Sequence, residues 1–125
     1  MATVGYLEGM DPLVLSKLAV QGVGTLPLSN GFDNHGKFIN TITERDQIEL
    51  IVGYLHKIMR TQDRGFFPQD ILQACHNCLI PVLIIIPNAD HEAARQILGE
   101  ACDFLILVDP ADVYDEIAVH LNLGS

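Results

Sequence analysis

Short apolar segments alternate with amphipathic ones along the whole chain. Residues 3–7 are β-branched and aromatic and are followed by Glu8-Gly9, and residues 23–28 have the same character, so both segments predict strands. Residues 79–86 form an almost unbroken apolar run, which is typical of a strand buried on both faces of a parallel sheet. Residues 104–108 predict a fourth strand.

Helical spacing marks the segments between these strands. Asp11-Pro12 predicts a helix start, because Asp accepts hydrogen bonds from first-turn amides and Pro fits the first helical position, and Gly22 predicts its end. Thr41 and Glu44 fit a capping box, with Thr43 as an alternative N-cap. The helix that they open is predicted to run to about residue 59. Its apolar face would consist of Ile48, Ile51, Val52, Leu55, Ile58 and Met59.

Three further helices complete the pattern. They are predicted to begin at Pro68, at Asp90 and at Asp109 or Asp112. Strands that alternate with helices in this way predict a parallel sheet with helices on both faces. We therefore predict one α/β domain over residues 1–125: a three-layer α/β/α sandwich of flavodoxin or Rossmann type, with a four-stranded, mainly parallel sheet in the order 2-1-3-4.

Charge and cysteine usage narrow the classes of function. The chain has 7 Lys and Arg against 16 Asp and Glu, a net charge of −9, which excludes binding to nucleic-acid phosphates or to anionic membrane surfaces through a basic patch. The first residues have neither the basic part nor the apolar core of a signal peptide. The odd count of 3 Cys favours reduced thiols, so we expect a cytoplasmic protein.

Polar residues collect where the predicted strands end, which is where open parallel sheets bind ligands. Residues 29–37 form a loop rich in Gly and Asn after the second strand, and long loops in compact domains are usually functional or disordered. Asp33, His35 and Lys37 would supply a carboxylate, a base that it orients and a cation, a set suited to acid–base catalysis. The candidate ligand-binding residues are Glu8, Ser29, Asn30, Gly31, Asn34, Gly36, Asn88 and Asp109.

Other chemistries have weaker signals. Glu8 and Asp109 could offer Mg²⁺ its carboxylates, although Asp at such turns most often caps a helix. No G-x-G-x-x-G follows the first strand and no Walker A sequence occurs, so a dinucleotide in the usual pose is not expected. Cys75 and Cys78 have C-x-x-C spacing at a predicted helix C-terminus, which favours buried structural thiols, as at Cys102, over redox or zinc chemistry.

Two functions follow from these patterns. The first is a non-catalytic module that binds a small molecule or a protein and regulates or assembles something; the absence of a complete catalytic constellation favours it. The alternative is a small enzyme that uses the 29–37 loop, with or without a divalent metal. An apolar fraction of 49% exceeds what one small core needs, so we also expect a homo-oligomer. Its contact would use Leu50 and Tyr54, or Phe66 and Phe67.

Overall fold

The computed structural model describes residues 2–29, 36–59, 73–99, 103 and 105–123 of the chain. Several predicted features lie outside these residues. They are the site candidates Asn30, Gly31, Asp33, Asn34 and His35, the contact candidates Phe66 and Phe67, the helix start at Pro68, and Cys102.

Within the described residues, six parallel strands form a single sheet. The strands are β1 (Thr3–Leu7), β2 (Gly24–Ser29), β3 (Lys37–Phe38), β4 (Ile48–Tyr54), β5 (Val82–Ile85) and β6 (Leu105–Val108). Their order across the sheet is β3-β2-β1-β4-β5-β6. The predicted α/β class with a parallel sheet is confirmed, but the sheet has six strands where four were predicted.

Helices cover both faces of this sheet. The described helices are α1 (Pro12–Val20), α2 (Leu55–Met59), α3 (Gln73–Asn77), α4 (His91–Leu98) and α5 (Val113–Leu121). One core cluster joins the sheet to α1 and α5 through Leu18 and Ile117. The other joins it to α2, α3 and α4 through Ile58, Cys75 and Leu98. None of the helices in the described segments is long and apolar enough to cross a membrane.

The helix start predicted at Asp11-Pro12 is confirmed, and of the two starts predicted for the last helix, Asp112 stands at the N-cap of α5. The Asp11 carboxylate accepts a hydrogen bond from the Leu13 amide at 2.9 Å and caps α1, and Gly22 follows the helix with a φ of +81°. Asp109 likewise accepts from the Ala111 amide and caps a 3-10 turn, Pro110–Asp112, that leads into α5. These signals are local, which is why they can be read from the sequence.

The long helix predicted up to residue 59 is wrong, because Ile48–Tyr54 is a strand and only Leu55–Met59 is helical. Apolar residues fill this segment so densely that they satisfy the helical period and the strand period together. Burial on both faces of the sheet decides between them: Ile51 belongs to one core cluster, and Leu50 and Val52 belong to the other. The capping box does form at Thr43, but its partner is Asp46 and it opens a short 3-10 turn.

This strand changes two further predictions. It lies between the predicted first and third strands, so the order 2-1-3-4 is interrupted by a strand that the prediction lacked. The expected exposure of Leu50 for a contact between chains is also wrong, because Leu50 is fully buried in the core; Tyr54 is half-buried at the end of the same strand. Residues that an amphipathic helix would expose are thus core residues of the sheet.

The strand predicted at residues 79–86 is confirmed in its centre. Val82–Ile85 is buried at all four positions, with Val82 and Ile84 in one core cluster and Leu83 and Ile85 in the other. It begins later than predicted because Leu79 adopts a left-handed φ of +59° and is 86% exposed. Because β5 has β4 and β6 as neighbours, it is an interior strand.

Candidate ligand site at the carboxyl edge of the sheet

The carboxyl ends of the parallel strands define one edge of the sheet. The chain leaves β1 for β2 on one side, and it later returns to β4 on the other side of β1. Connections that diverge from two adjacent strands leave a crevice between the strand ends, and open α/β sheets bind ligands at this switch point. Glu8 follows β1 directly, and Lys57 lies in α2, which follows β4 without a break.

Lys57 and Glu8 form an ion pair across this switch point, in which the Lys57 ammonium donates a hydrogen bond to Glu8 Oε2. The two partners differ in exposure: the Lys57 side chain is 8% exposed and the Glu8 side chain 44%. Lysine is almost never buried unless it is paired. The Lys57 ammonium is therefore held in the protein interior at the carboxyl edge of the sheet, while the Glu8 carboxylate is partly exposed to solvent.

Gly9 and Tyr54 flank the ion pair. Gly9 has a φ of +94°, and a Cβ atom at that position would lie 3.9 Å from Lys57 Cε and 4.0 Å from Tyr54 Cδ2. The backbone at Gly9 therefore passes close to the lysine stem and the tyrosine ring. The Tyr54 ring also lies near that of His56, with centroids 6.0 Å apart. We name the group formed by Glu8, Gly9, Tyr54 and Lys57 the β1–β4 site.

The predicted catalytic loop is described only at its two ends. Lys37 lies in β3 at the edge of the sheet, where its ammonium contacts both carboxylate oxygens of Asp46 at 2.9 Å. The pKa of Asp46 is lowered by the Thr43 amide, which donates to it, and by Lys37. Two strand spacings, about 10 Å, separate β3 from β1. Lys37 thus ties the end of the loop to the 3-10 turn at Asp46.

Two other residues of this loop that were predicted to bind a ligand, Ser29 and Gly36, lie where they contribute to the fold. Ser29 is buried at the end of β2. Gly36 has a φ of +81°, and a Cβ atom there would lie 2.3 Å from the Pro27 carbonyl oxygen. Only glycine fits this close approach between two backbone segments, so Gly36 shapes the return of the chain into β3.

Asp109 and Asn88 meet at the far end of the same edge. The Asp109 carboxylate accepts a hydrogen bond from the Asn88 amide at 2.9 Å and one from the Ala111 amide at 3.0 Å. It therefore links the ends of β5 and β6. The strand order leaves two strands between β1 and β6, so Glu8 and Asp109 follow strands about 14 Å apart. The described part of the chain holds no group of three or more His, Cys, Asp or Glu residues suited to a metal ion.

The hydrogen bonds at Asp109 make the stability of the fold depend on pH. The Asn88 amide, then the Ala111 amide, lower the pKa of the Asp109 carboxyl below its usual value. A carboxyl whose pKa is depressed by folding stabilises the fold above its unfolded pKa, and this stabilisation is lost as the pH falls through the folded pKa. We expect Asp109→Asn to lower the urea midpoint at neutral pH and to match the wild type at about pH 2.

Asp112→Asn is the matched control for this measurement, because the Asp112 side chain makes no capping hydrogen bond although it stands at the N-cap of α5. We expect it to leave the midpoint almost unchanged at both pH values. Equal effects of the two substitutions at neutral pH would contradict a specific role of the Asp109 hydrogen bonds.

The C-x-x-C cysteines agree in part with the structural role predicted for them. Cys75 is fully buried in α3, and Cys78 is half-buried; both thiols are free. Burial, followed by the neighbouring Cys78, raises the pKa of the Cys75 thiol to about 12. The thiolate is the reactive form of cysteine, so Cys75 is poorly suited to redox chemistry.

A labelling experiment tests this role of Cys75. We expect a thiol reagent at neutral pH to modify Cys75 in the folded protein at least about a hundredfold more slowly than in urea, because the thiol is both buried and protonated. Peptide mass spectrometry separates Cys75 from the other two cysteines. Labelling of Cys75 at equal rates in folded and unfolded protein would show that the thiol is accessible and would restore the redox interpretation.

Sequence reasoning missed Lys57 and Tyr54, because both were assigned to a long helix. The signal that could have found them is the apolar run at residues 48–52, which contains the β-branched residues Ile48, Ile51 and Val52 and is interrupted only by Glu49. With that run interpreted as a strand, Lys57 stands three residues beyond the strand end, at the edge where ligands bind.

Comparisons with family models, with curated proteins and with solved structures found no match to the chain. The function is therefore argued from the geometry of the described residues. Among them, the β1–β4 site combines a switch point of the sheet with a buried cation.

Proposed function

We propose that this chain is a small binding module with a regulatory or assembly role, not an enzyme, and that it holds a small molecule at the β1–β4 site. The observation that carries the proposal is the buried Lys57 ammonium paired with the half-exposed Glu8 at the ends of adjacent strands. Desolvation offsets much of the attraction in a buried ion pair, so stability alone gives little reason to keep one. Recognition of a ligand supplies that reason.

The strand order of the sheet also supports ligand binding at the β1–β4 site. We infer that the sheet is of the flavodoxin type, because the order without the edge strand β3 is β2-β1-β4-β5-β6, which corresponds to 2-1-3-4-5. In that arrangement the ligand lies beyond the ends of the first and third core strands. These strands are β1 and β4, which carry Glu8 and Lys57 at their carboxyl ends.

The enzyme alternative has less support. It relied on Asp33, His35 and Lys37, and of these Lys37 is engaged by both carboxylate oxygens of Asp46. An ammonium held in this way contributes to the attachment of the edge strand. We therefore propose ligand binding at the β1–β4 site and not at the 29–37 loop.

Amide chemical-shift mapping of the full ¹⁵N-labelled chain tests the proposal. The probes are propionate, its neutral isostere propionamide, and inorganic phosphate, each titrated alone at constant ionic strength. We expect at least one probe to shift the amides of Gly9, Met10 and residues 54–58 in a saturable way. Shifts confined to Asn88 and Asp109, or no saturable shift with any probe, would contradict binding at the β1–β4 site.

A homo-oligomer stays a prediction, but we expect its contact to involve residues of α1 and not Leu50. Leu50 no longer supports it, whereas Leu13 and Val20 on α1 are 70% and 85% exposed and give the described surface an apolar strip. Exposed apolar patches often mark contacts between proteins. Light scattering at micromolar concentration measures the mass; a dimer or larger ring is expected, and a strictly monomeric mass would contradict it.

A further inference from the structure

We infer that a second copy of this chain docks on the outer surface of α1 and α5; this inference rests on the homo-oligomer of the proposed function and names its contact. We call this surface, with the residues Leu13, Lys17, Val20, Asp115 and Val119, the α1–α5 face. Its three large apolar residues, Leu13, Val20 and Val119, are each at least 70% exposed. Exposed apolar residues that lie together mark contacts between proteins.

The two helices of this face are neighbours with a recess between them. The Lys17 ammonium lies over the Tyr114 ring, 5.2 Å from its centroid, so the lysine reaches from α1 to α5. A cavity of about 470 Å³ lies between the same helices, and its walls include Leu13, Val20 and Tyr114. A second copy that rests on both helices covers this cavity and removes its apolar walls from water.

Charge decides which exposed apolar surface two copies can share. Each copy has a net charge of −9, so two copies repel, and a stable contact must bring opposite charges together where the copies touch. Lys37 and Lys57 already form ion pairs within the chain. Lys17 is exposed and, among the residues that the structure describes, has no carboxylate partner. The α1–α5 face therefore combines an apolar surface with an available lysine.

The same face contains the carboxylate that Lys17 lacks. Asp115 is exposed on α5, next to Tyr114 and one turn before Val119. A two-fold axis that runs between and along the two helices places α1 of each copy on α5 of the other, and it keeps every residue at its own level along that axis. Lys17 lies at the level of Tyr114, so it meets Asp115 of the second copy, and the pair forms twice. Because the apolar and acidic residues that this contact needs are present on α5 itself, the occupant is a second copy.

Sedimentation equilibrium of the full chain at micromolar concentration tests the inference. We expect Lys17→Glu and Asp115→Lys each to weaken the dimer at least about tenfold, because each substitution brings like charges together twice. Arg45→Glu and Glu49→Lys are the matched controls, since they make the same changes of net charge at exposed positions outside the α1–α5 face. We expect them to change the dissociation constant less than about threefold.

Mixing the two single variants tests the pairing across the contact. In a mixed dimer, Glu at position 17 of one chain meets Lys at position 115 of the other, and the second contact keeps the native pair. We therefore expect equal amounts of the Lys17→Glu and Asp115→Lys chains to associate with a dissociation constant within about threefold of the wild type. A mixture that associates no better than its components would overturn the pairing of Lys17 with Asp115.

The outcomes separate this inference from the proposed function. A wild-type dimer that Lys17→Glu and Asp115→Lys leave unchanged would overturn the α1–α5 face while the homo-oligomer stands. A strictly monomeric wild type would overturn both, whereas ligand binding at the β1–β4 site is measured independently. If circular dichroism shows that a charge variant does not fold, Leu13→Ser takes its place, with the exposed Ile97 on α4 changed to Ser as its control. Equal dimerisation of these two variants would overturn the inference.

Discussion

Ile84→Asp is expected to abolish cooperative folding. Ile84 is fully buried in β5, where it pairs with Gly53 of β4 and Leu107 of β6, so no side of the residue faces water. The substitution removes apolar contacts of a core isoleucine and adds a carboxyl group without a partner, at a cost of several kcal/mol. Because a domain has a total stability of about 5–15 kcal/mol, the folded state is not expected to survive. Circular dichroism during thermal unfolding measures the loss.

Ile97→Asp is the matched control for this substitution. Ile97 is 55% exposed on α4, so the same change there leaves the carboxylate in water and is expected to cost less than about 1 kcal/mol. A soluble Ile84→Asp protein that still melts cooperatively would contradict the interior position of β5.

Gly36→Ala is expected to have the second largest effect. Gly22 and Gly36 share a φ of +81°, so alanine meets the same backbone strain of about 1–2 kcal/mol at both positions. A Cβ atom at Gly22 would have no atom within 4 Å, whereas at Gly36 it would lie 2.3 Å from the Pro27 carbonyl oxygen and 2.7 Å from the carbonyl carbon. The backbone must move to relieve this contact, and β3 must then leave its pairing with β2.

We therefore expect Gly36→Ala to destabilise the fold by about 2 kcal/mol more than Gly22→Ala in urea unfolding, since overpacking of this kind costs about 1–3 kcal/mol. The comparison isolates the steric clash because the strain of the left-handed conformation cancels. Equal losses of stability in the two variants would contradict the close approach of Gly36 to Pro27 and would favour a role of Gly36 in ligand binding alone.

Local signals determined how much of the fold could be predicted. The Asp11-Pro12 cap and Gly22 delimit α1 correctly because their hydrogen bonds and dihedral angles involve near neighbours. The centre of β5 is predictable because a run with no polar residue fits only a segment buried on both sides. Strand β4 was missed because Ile48, Ile51 and Val52 also have helical spacing, and the choice depends on burial against helices distant in sequence.

The candidate site was predictable only in part, at the residues that follow directly from the strand ends. Glu8 and Asp109 follow from the rule that ligands bind at the carboxyl edge, which needs only the strand ends. Lys57 depends on β4, and its partner Glu8 is 49 residues away in the chain. The engagement of Lys37 by Asp46 likewise needs the path of the chain through β3 and the 3-10 turn. Neither pair has a spacing that identifies it in the sequence.

The most direct test of the β1–β4 site is an isotope-filtered NOE measurement on the full chain with ¹³C-labelled propionate or propionamide, whichever shifts the Gly9 amide in a saturable way. We predict intermolecular NOEs from the methyl group of that probe to the Gly9 α-protons and to the Tyr54 ring protons. NOEs confined to the methyl groups of Leu13 and Val20 on α1, or to Ala111 beside Asp109, would place the ligand elsewhere and contradict the account.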